Sequence, residues 1–124
     1  KYLGVDYGEK RIGLATSDDE GKIAFPRKIV ASKESIKKIK LLVKKEGIKK
    51  VIVGLPLSLE NRDTKQTAEV RKFAEKLHAV LIIPVEFENE IFTTRMAETQ
   101  VKKEHADSAA AAIILQSYLD KKNK

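Results

Sequence analysis

The sequence contains no cysteine. Disulfides and thiolate metal sites are therefore excluded. Any bound metal must sit on oxygen or imidazole, which favours magnesium or manganese over structural zinc. No apolar stretch is long enough to span a membrane, and no signal-peptide pattern opens the chain. A cytoplasmic location and no membrane partner are expected. Aromatic residues make up only 6% of the chain, which favours recognition of backbone and shape over base stacking. Repeats, low-complexity segments and linkers are also absent from the sequence. The 124 residues are expected to form a single domain over 1–124, with enough chain for one core.

Positive charge is what the chain has in excess. The formal net charge is +7, and all of it lies in residues 1–50, which carry 14 Lys/Arg against 7 Asp/Glu. Such an imbalance suits a polyanionic partner. A solvated lysine-rich surface, or the Lys/Glu-rich composition of a thermophile, accounts for it equally well.

The densest local signal is Leu3–Asp18, LGVDYGEKRIGLATSD. Two apolar runs, Leu3–Val5 and Ile12–Ala15, flank a short polar turn, which predicts a β-hairpin. Asp6 stands where the first run ends. Gly4 and Gly8 are expected to keep the backbone lean, so that a phosphate or hydrated cation can approach. Lys10 and Arg11 follow and are candidates to hold an anion there. A surface turn in which Asp6 bonds its own backbone is the alternative, as is a salt bridge from Arg11 to Asp18 or Asp19.

A turn at Asp18–Gly21 leads to a third strand, Lys22–Val30, and so to an antiparallel meander. Ser32 or Ser35 is expected to cap a helix ending near Gly47, with Ile36, Ile39, Leu42 and Val43 on one face. Lys37, Lys38, Lys40, Lys44 and Lys45 cover the remainder, as a solvated face or a phosphate contact. Val51–Val53 is wholly apolar, as in a central parallel strand, and Pro56 stops it. A polar loop, Ser58–Asp63, precedes a helix from about Thr64 to Leu77, with Val70, Phe73, Ala74 and Leu77 in register. Leu81–Phe87 reads as an edge strand because Pro84 lies in it and Glu86 alternates with apolar neighbours. Thr93 or Thr94 caps a short helix to about Lys103, or contacts substrate. A last helix runs from about Ala106 to Leu119. The order of elements is that of an α/β domain.

In that last helix Asp107, Ala110, Ala111, Ile114, Leu115 and Tyr118 share one side. A carboxylate at the head of an apolar stripe must cap, pair or bind a metal. Asp6 and Glu90 each end a strand. If those strands are parallel in one sheet, both acids project at one edge, and a helix packed across it brings Asp107 to them. Three such acids repel unless a cation intervenes. Oxygen-only clusters suit magnesium or manganese, which activate water and stabilise a leaving oxygen in phosphodiester hydrolysis.

Four collinear blocks carry a family resemblance: GVDYGEKRIGLATSD, VIVGLPL, VRKFAEKL and DSAAAAIILQSYLD. The chain resembles the YqgF/RuvX proteins, Holliday junction resolvase-like nucleases of the ribonuclease H-like fold. The resemblance implies a five-stranded mixed sheet in order 3-2-1-4-5 with helices on both faces. It also implies a metal-dependent endonuclease acting on nucleic acid, in 5′-end processing of the small-subunit ribosomal RNA precursor. By motif position it makes Asp6, Glu90 and Asp107 the catalytic, metal-holding acids. Two departures stand out. The family's usual Asp-Glu-Arg-Leu is Asn89-Glu90-Ile91-Phe92 here. The basic, glycine-containing segment before the last helix is trimmed to Lys102–Ala106. The alternatives are a resolvase-type endonuclease on branched DNA, which calls for a two-fold dimer, and a non-catalytic nucleic-acid-binding ribosome-assembly factor. A monomer or weak homodimer is expected. A phosphate-cradling turn of the sugar kinase, actin and Hsp70 kind would need a second domain around a cleft.

Overall fold

The computed structural model describes residues 1–56, 64–89 and 106–124; of residues 106–108 only the helical backbone is described. The strands are β1 (Tyr2–Asp6), β2 (Arg11–Ser17), β3 (Ala24–Ala31), β4 (Lys50–Leu55) and β5 (Val85–Asn89). The helices are α1 (Ser35–Glu46), α2 (Lys65–Val80) and α3 (Ala106–Lys122), with a 3-10 turn at Ser32–Glu34 before α1. The strands form one sheet in the order β3-β2-β1-β4-β5. β1, β4 and β5 run parallel, and β2 is antiparallel to both of its neighbours.

Alternation along each strand sends side chains to two cores. Leu3, Val5, Val51 and Val53 pack with Ile39 and Leu42 of α1 and with Val70, Phe73 and Leu77 of α2. Tyr2, Ala15 and Ile52 face the other way, against Ala111, Ile114, Leu115 and Leu119 of α3. Two helices thus cover one face and α3 the other. Each buried Ile or Leu contributes about 1.5–3 kcal/mol of transfer free energy.

Gly4 is the tightest point of the α3 face. A Cβ built on it would lie 2.7 Å from Leu115 Cβ and 2.8 Å from the Ala111 carbonyl oxygen. The space above Gly4 is therefore filled by α3 and is not a path for a ligand, contrary to the reading from sequence. Gly8 is equally occupied, since its Cβ would run into the Arg11 carbonyl across the hairpin turn.

Several boundaries differ from those expected. Neither Ser32 nor Ser35 caps α1. Its N-cap is Glu34, which makes no side-chain cap bond, while the Ser35 hydroxyl donates to the Ser32 carbonyl at 2.7 Å. The third strand starts at Ala24, because the Asp18 carboxylate accepts the Lys22 and Ile23 amides (2.7 and 3.0 Å) and extends the preceding turn. β5 starts after Pro84, which has no amide to give to the ladder. Leu81 instead closes α2, donating its amide to the Leu77 carbonyl at 2.9 Å. β5 is nonetheless an edge strand. Thr64 caps α2 through a reciprocal pair of bonds with Thr67. The expected Ser58–Asp63 loop and Thr93–Lys103 helix lie outside the described residues.

Candidate active site

Asp6 is the last residue of β1, and the strand's alternation puts it on the side of Tyr2 and Gly4, the α3 face. It is half-buried. On β2 its partner is Gly13. On β4, where Val53 pairs with Val5, the next residue is Gly54. Level with Asp6, both adjacent strands thus place a glycine. The glycines level with Asp6 are therefore Gly13 and Gly54, and not the Gly4 and Gly8 expected to leave room around it.

The direction of α3 follows from its contacts. Ala111 and Leu115 lie over Gly4, whereas the ring of Tyr118 lies 6.1 Å from that of Tyr2 and its hydroxyl accepts from Lys50 at 2.9 Å. α3 thus runs antiparallel to β1, and its first turn, which contains Asp107, lies toward the Asp6 end. Asp107, Ala111 and Leu115 are spaced i, i+4, i+8 on one face of the helix. β5 is parallel to β4 and ends at the same edge with Asn89. The Asp107 side chain, Glu90, Thr93 and Thr94 lie outside the described residues.

Lys10 and Arg11 are exposed on the hairpin that starts beside Asp6. Among the described residues Arg11 makes no ion pair with Asp18 or Asp19. Asp18 is committed to its turn: the Ile23 amide and then the Lys22 amide hold its carboxyl below the usual range. Tyr2 is buried. Tyr7 is half-buried with its ring 4.9 Å from Phe73. His78 occupies the last turn of α2.

Sequence reasoning passed over Glu88. It is 5% exposed on β5, and its carboxylate accepts from Ser117 Oγ (2.8 Å) and Lys121 Nζ (2.7 Å) of α3. Two residues earlier, Glu86 pairs with Lys50 at 2.8 Å and accepts from the Tyr118 hydroxyl at 3.2 Å. The bond to Glu86, and next that to Tyr118, raises the Lys50 pKa; Lys50 in turn holds the Glu86 carboxyl down. These bonds tie the edge strand to α3. The outward alternation of Glu86 and Glu88 was the available signal, but α3 covers that side.

Residues 1–121 match the family model described as "RuvX: Holliday junction resolvase". The chain belongs to the RuvX family. A relative from Caldanaerobacter subterraneus subsp. tengcongensis is 41% identical over 133 residues, covering 97% of this chain and 96% of the relative. One from Chloroflexus aggregans is 40% identical over 130 residues, covering 95% and 92%. Both bear the name "Putative pre-16S rRNA nuclease". RuvC of Thermus thermophilus, solved in complex with a Holliday junction substrate, superposes with a TM-score of 0.56 at 14% identity, covering 98% of this chain and 94% of that one. That likeness establishes the ribonuclease H-like fold of this RuvX-family chain. The expected strand order and the family resemblance are thus both borne out.

Proposed function

We propose that the chain is a divalent-metal-dependent endonuclease that hydrolyses phosphodiester bonds in the precursor of the small-subunit ribosomal RNA, near its 5′ end, in the cytoplasm. One observation carries the reading. Asp6 ends its strand between two glycines, at the edge toward which the first turn of α3 and the end of β5 also run. The names borne by the relatives supply the substrate class.

The carboxylates of Asp6, Glu90 and Asp107 are all hard oxygen donors. Glycines at the positions level with Asp6 on both neighbouring strands suit a hydrated magnesium or manganese ion beside Asp6. When bound, such an ion supplies an activated water and charge stabilisation at the leaving oxygen. Asp6 anchors it from the sheet, with Glu90 and Asp107 completing the shell. Lys10 and Arg11 hold a neighbouring phosphate from the hairpin, and Thr93 and Thr94 contact the substrate or cap their own segment.

The test is incubation with a precursor ribosomal RNA fragment and, separately, a four-way DNA junction, each with manganese. Cutting of the RNA, abolished in Asp6→Asn, is expected. Full metal-dependent cleavage by Asp6→Asn would refute the assignment. The description of the matching family model favours a second reading, a resolvase on branched DNA. Symmetric junction cleavage by a two-fold dimer would establish that reading instead, and binding without cutting of either substrate would leave an assembly factor.

A further inference from the structure

The end of the sheet that carries Asp6 has a second feature, on the opposite face from α3. A cavity of about 380 Å³ opens between the start of α1 and the middle of α2. Tyr7, Ile36 and Phe73 line it together with Lys33, Lys72 and Lys76. Among the described residues none of these three lysines has an ion pair. Tyr7 and Glu69 are shared with an adjoining cavity that Lys65 also lines. On α2, Lys65, Glu69, Lys72 and Lys76 stand at i, i+4, i+7 and i+11, one stripe about 16 Å long. The Ser32 amide donates to the Lys10 carbonyl at 2.9 Å, which fastens the Lys10–Arg11 hairpin beside Lys33. The cations therefore continue from the Asp6 edge into the interhelical cleft, opposed by Glu69 and, in the adjoining cavity, by Glu9.

We propose that this cleft is a binding track for single-stranded nucleic acid, in which Lys33, Lys72 and Lys76 hold phosphates leaving the Asp6 edge and Tyr7 offers a face to one base. The assignment rests on the nuclease reading for its substrate class. Three unpaired ammonium groups around one cavity match a repeating anion. Tyr7 and Phe73 line the same cavity as the lysines, so a base splayed from a single strand meets aromatic rings beside the phosphates' partners. Of the lysines on α1, Lys37, Lys40 and Lys44 line a different groove, with Leu41, Val80 and Ile82, and are not part of the track.

Fluorescence anisotropy of a labelled 15-nucleotide single-stranded RNA tests it, in EDTA so that no cleavage occurs, across a salt series. For every phosphate the protein ceases to neutralise, the slope of log K against log salt flattens by about 0.7. Lys33→Ala/Lys72→Ala/Lys76→Ala is expected to lose about 2 units of slope and about tenfold or more in affinity at 100 mM salt. A control of equal charge, Lys28→Ala/Lys45→Ala/Lys124→Ala, is expected to lose much less slope. Tyr7→Leu, which keeps an apolar side chain against Phe73, is expected to weaken binding about fivefold or more with the slope unchanged. Equal slope changes in the two triple variants, or no change in either, would overturn the proposal. Binding as expected without cleavage of any substrate removes the nuclease reading and leaves the track standing; cleavage with an unaltered slope does the reverse.

Discussion

Gly4→Ala isolates what holds α3 over the sheet. The new Cβ would sit 2.7 Å from Leu115 Cβ and 2.8 Å from the Ala111 carbonyl oxygen. Carbon atoms settle at about 3.5–4.0 Å, so α3 must retreat from β1 by roughly 1 Å. Leu115 and Ala111 are fully buried, and the obstructing atoms are a Cβ and a backbone oxygen, which no rotamer change moves. Overpacking of this kind costs about 1–3 kcal/mol, or about 3–15 °C in Tm for a domain of this size. A misplacement of about 1 Å between Asp6 and the first turn of α3 can also lower cleavage about a hundredfold. The assay is thermal unfolding beside cleavage of the RNA fragment. Leu115→Ala must fail to rescue, because it leaves the Cβ and the carbonyl where they are. A Gly4→Ala protein as stable and active as the parent would refute the packing argument, and with it the account of how α3 is positioned.

Other perturbations give distinct outcomes. Glu46 accepts two bonds from Arg27 at 2.7 Å and one from Lys1 at 3.3 Å, and chiefly the Arg27 bonds push its pKa from 4.5 down to about 2. Its contribution is complete above pH 4.5 and is lost as the pH falls toward 2, so Glu46→Gln should destabilise at pH 7 by about 1–2 kcal/mol after solvent screening. In urea unfolding that difference should shrink below pH 4.5; a pH-independent difference would refute it. Lys121→Met leaves the buried Glu88 carboxylate with Ser117 alone among the partners described above, at a cost of about 1–3 kcal/mol by denaturant unfolding. Adding Glu88→Leu should recover part of that loss, since the buried charge is then gone; a double variant no better than Lys121→Met contradicts this. Gly47 ends α1 at φ 65° with nothing within 4 Å of a built Cβ. Gly47→Ala should therefore cost only the left-handed conformational penalty, about 1–2 kcal/mol, and leave cleavage untouched, unlike Gly4→Ala.

Periodicity is local, and what depends on it was legible. The meander, the apolar central strand, the face of α2 and the stripe of α3 all follow from spacings within a dozen residues. β5 is at the edge as expected, but it starts at Val85, four residues after the expected Leu81, so Pro84 precedes it, and its glutamates face α3. The four collinear blocks were enough to identify the family. The five lysines of α1 were not separable by sequence. Spacing places all of them off the apolar face, but only a neighbouring helix distinguishes Lys37, Lys40 and Lys44, which line a groove, from Lys38 and Lys45.

By itself the sequence determined the type and order of the described elements and put Asp6 at the end of the first strand, because both are written in neighbouring residues. The tertiary structure decided which glycines serve which purpose: Gly4 lets α3 close on β1, while Gly13 and Gly54 flank Asp6. It also decided that Glu88 is buried beneath α3 and that Lys33 shares a cavity with Lys72 and Lys76. Apart from the Asp6–Gly13 hairpin pair, these are pairings between segments tens of residues apart. They are set by strand register and helix packing, which no local pattern encodes.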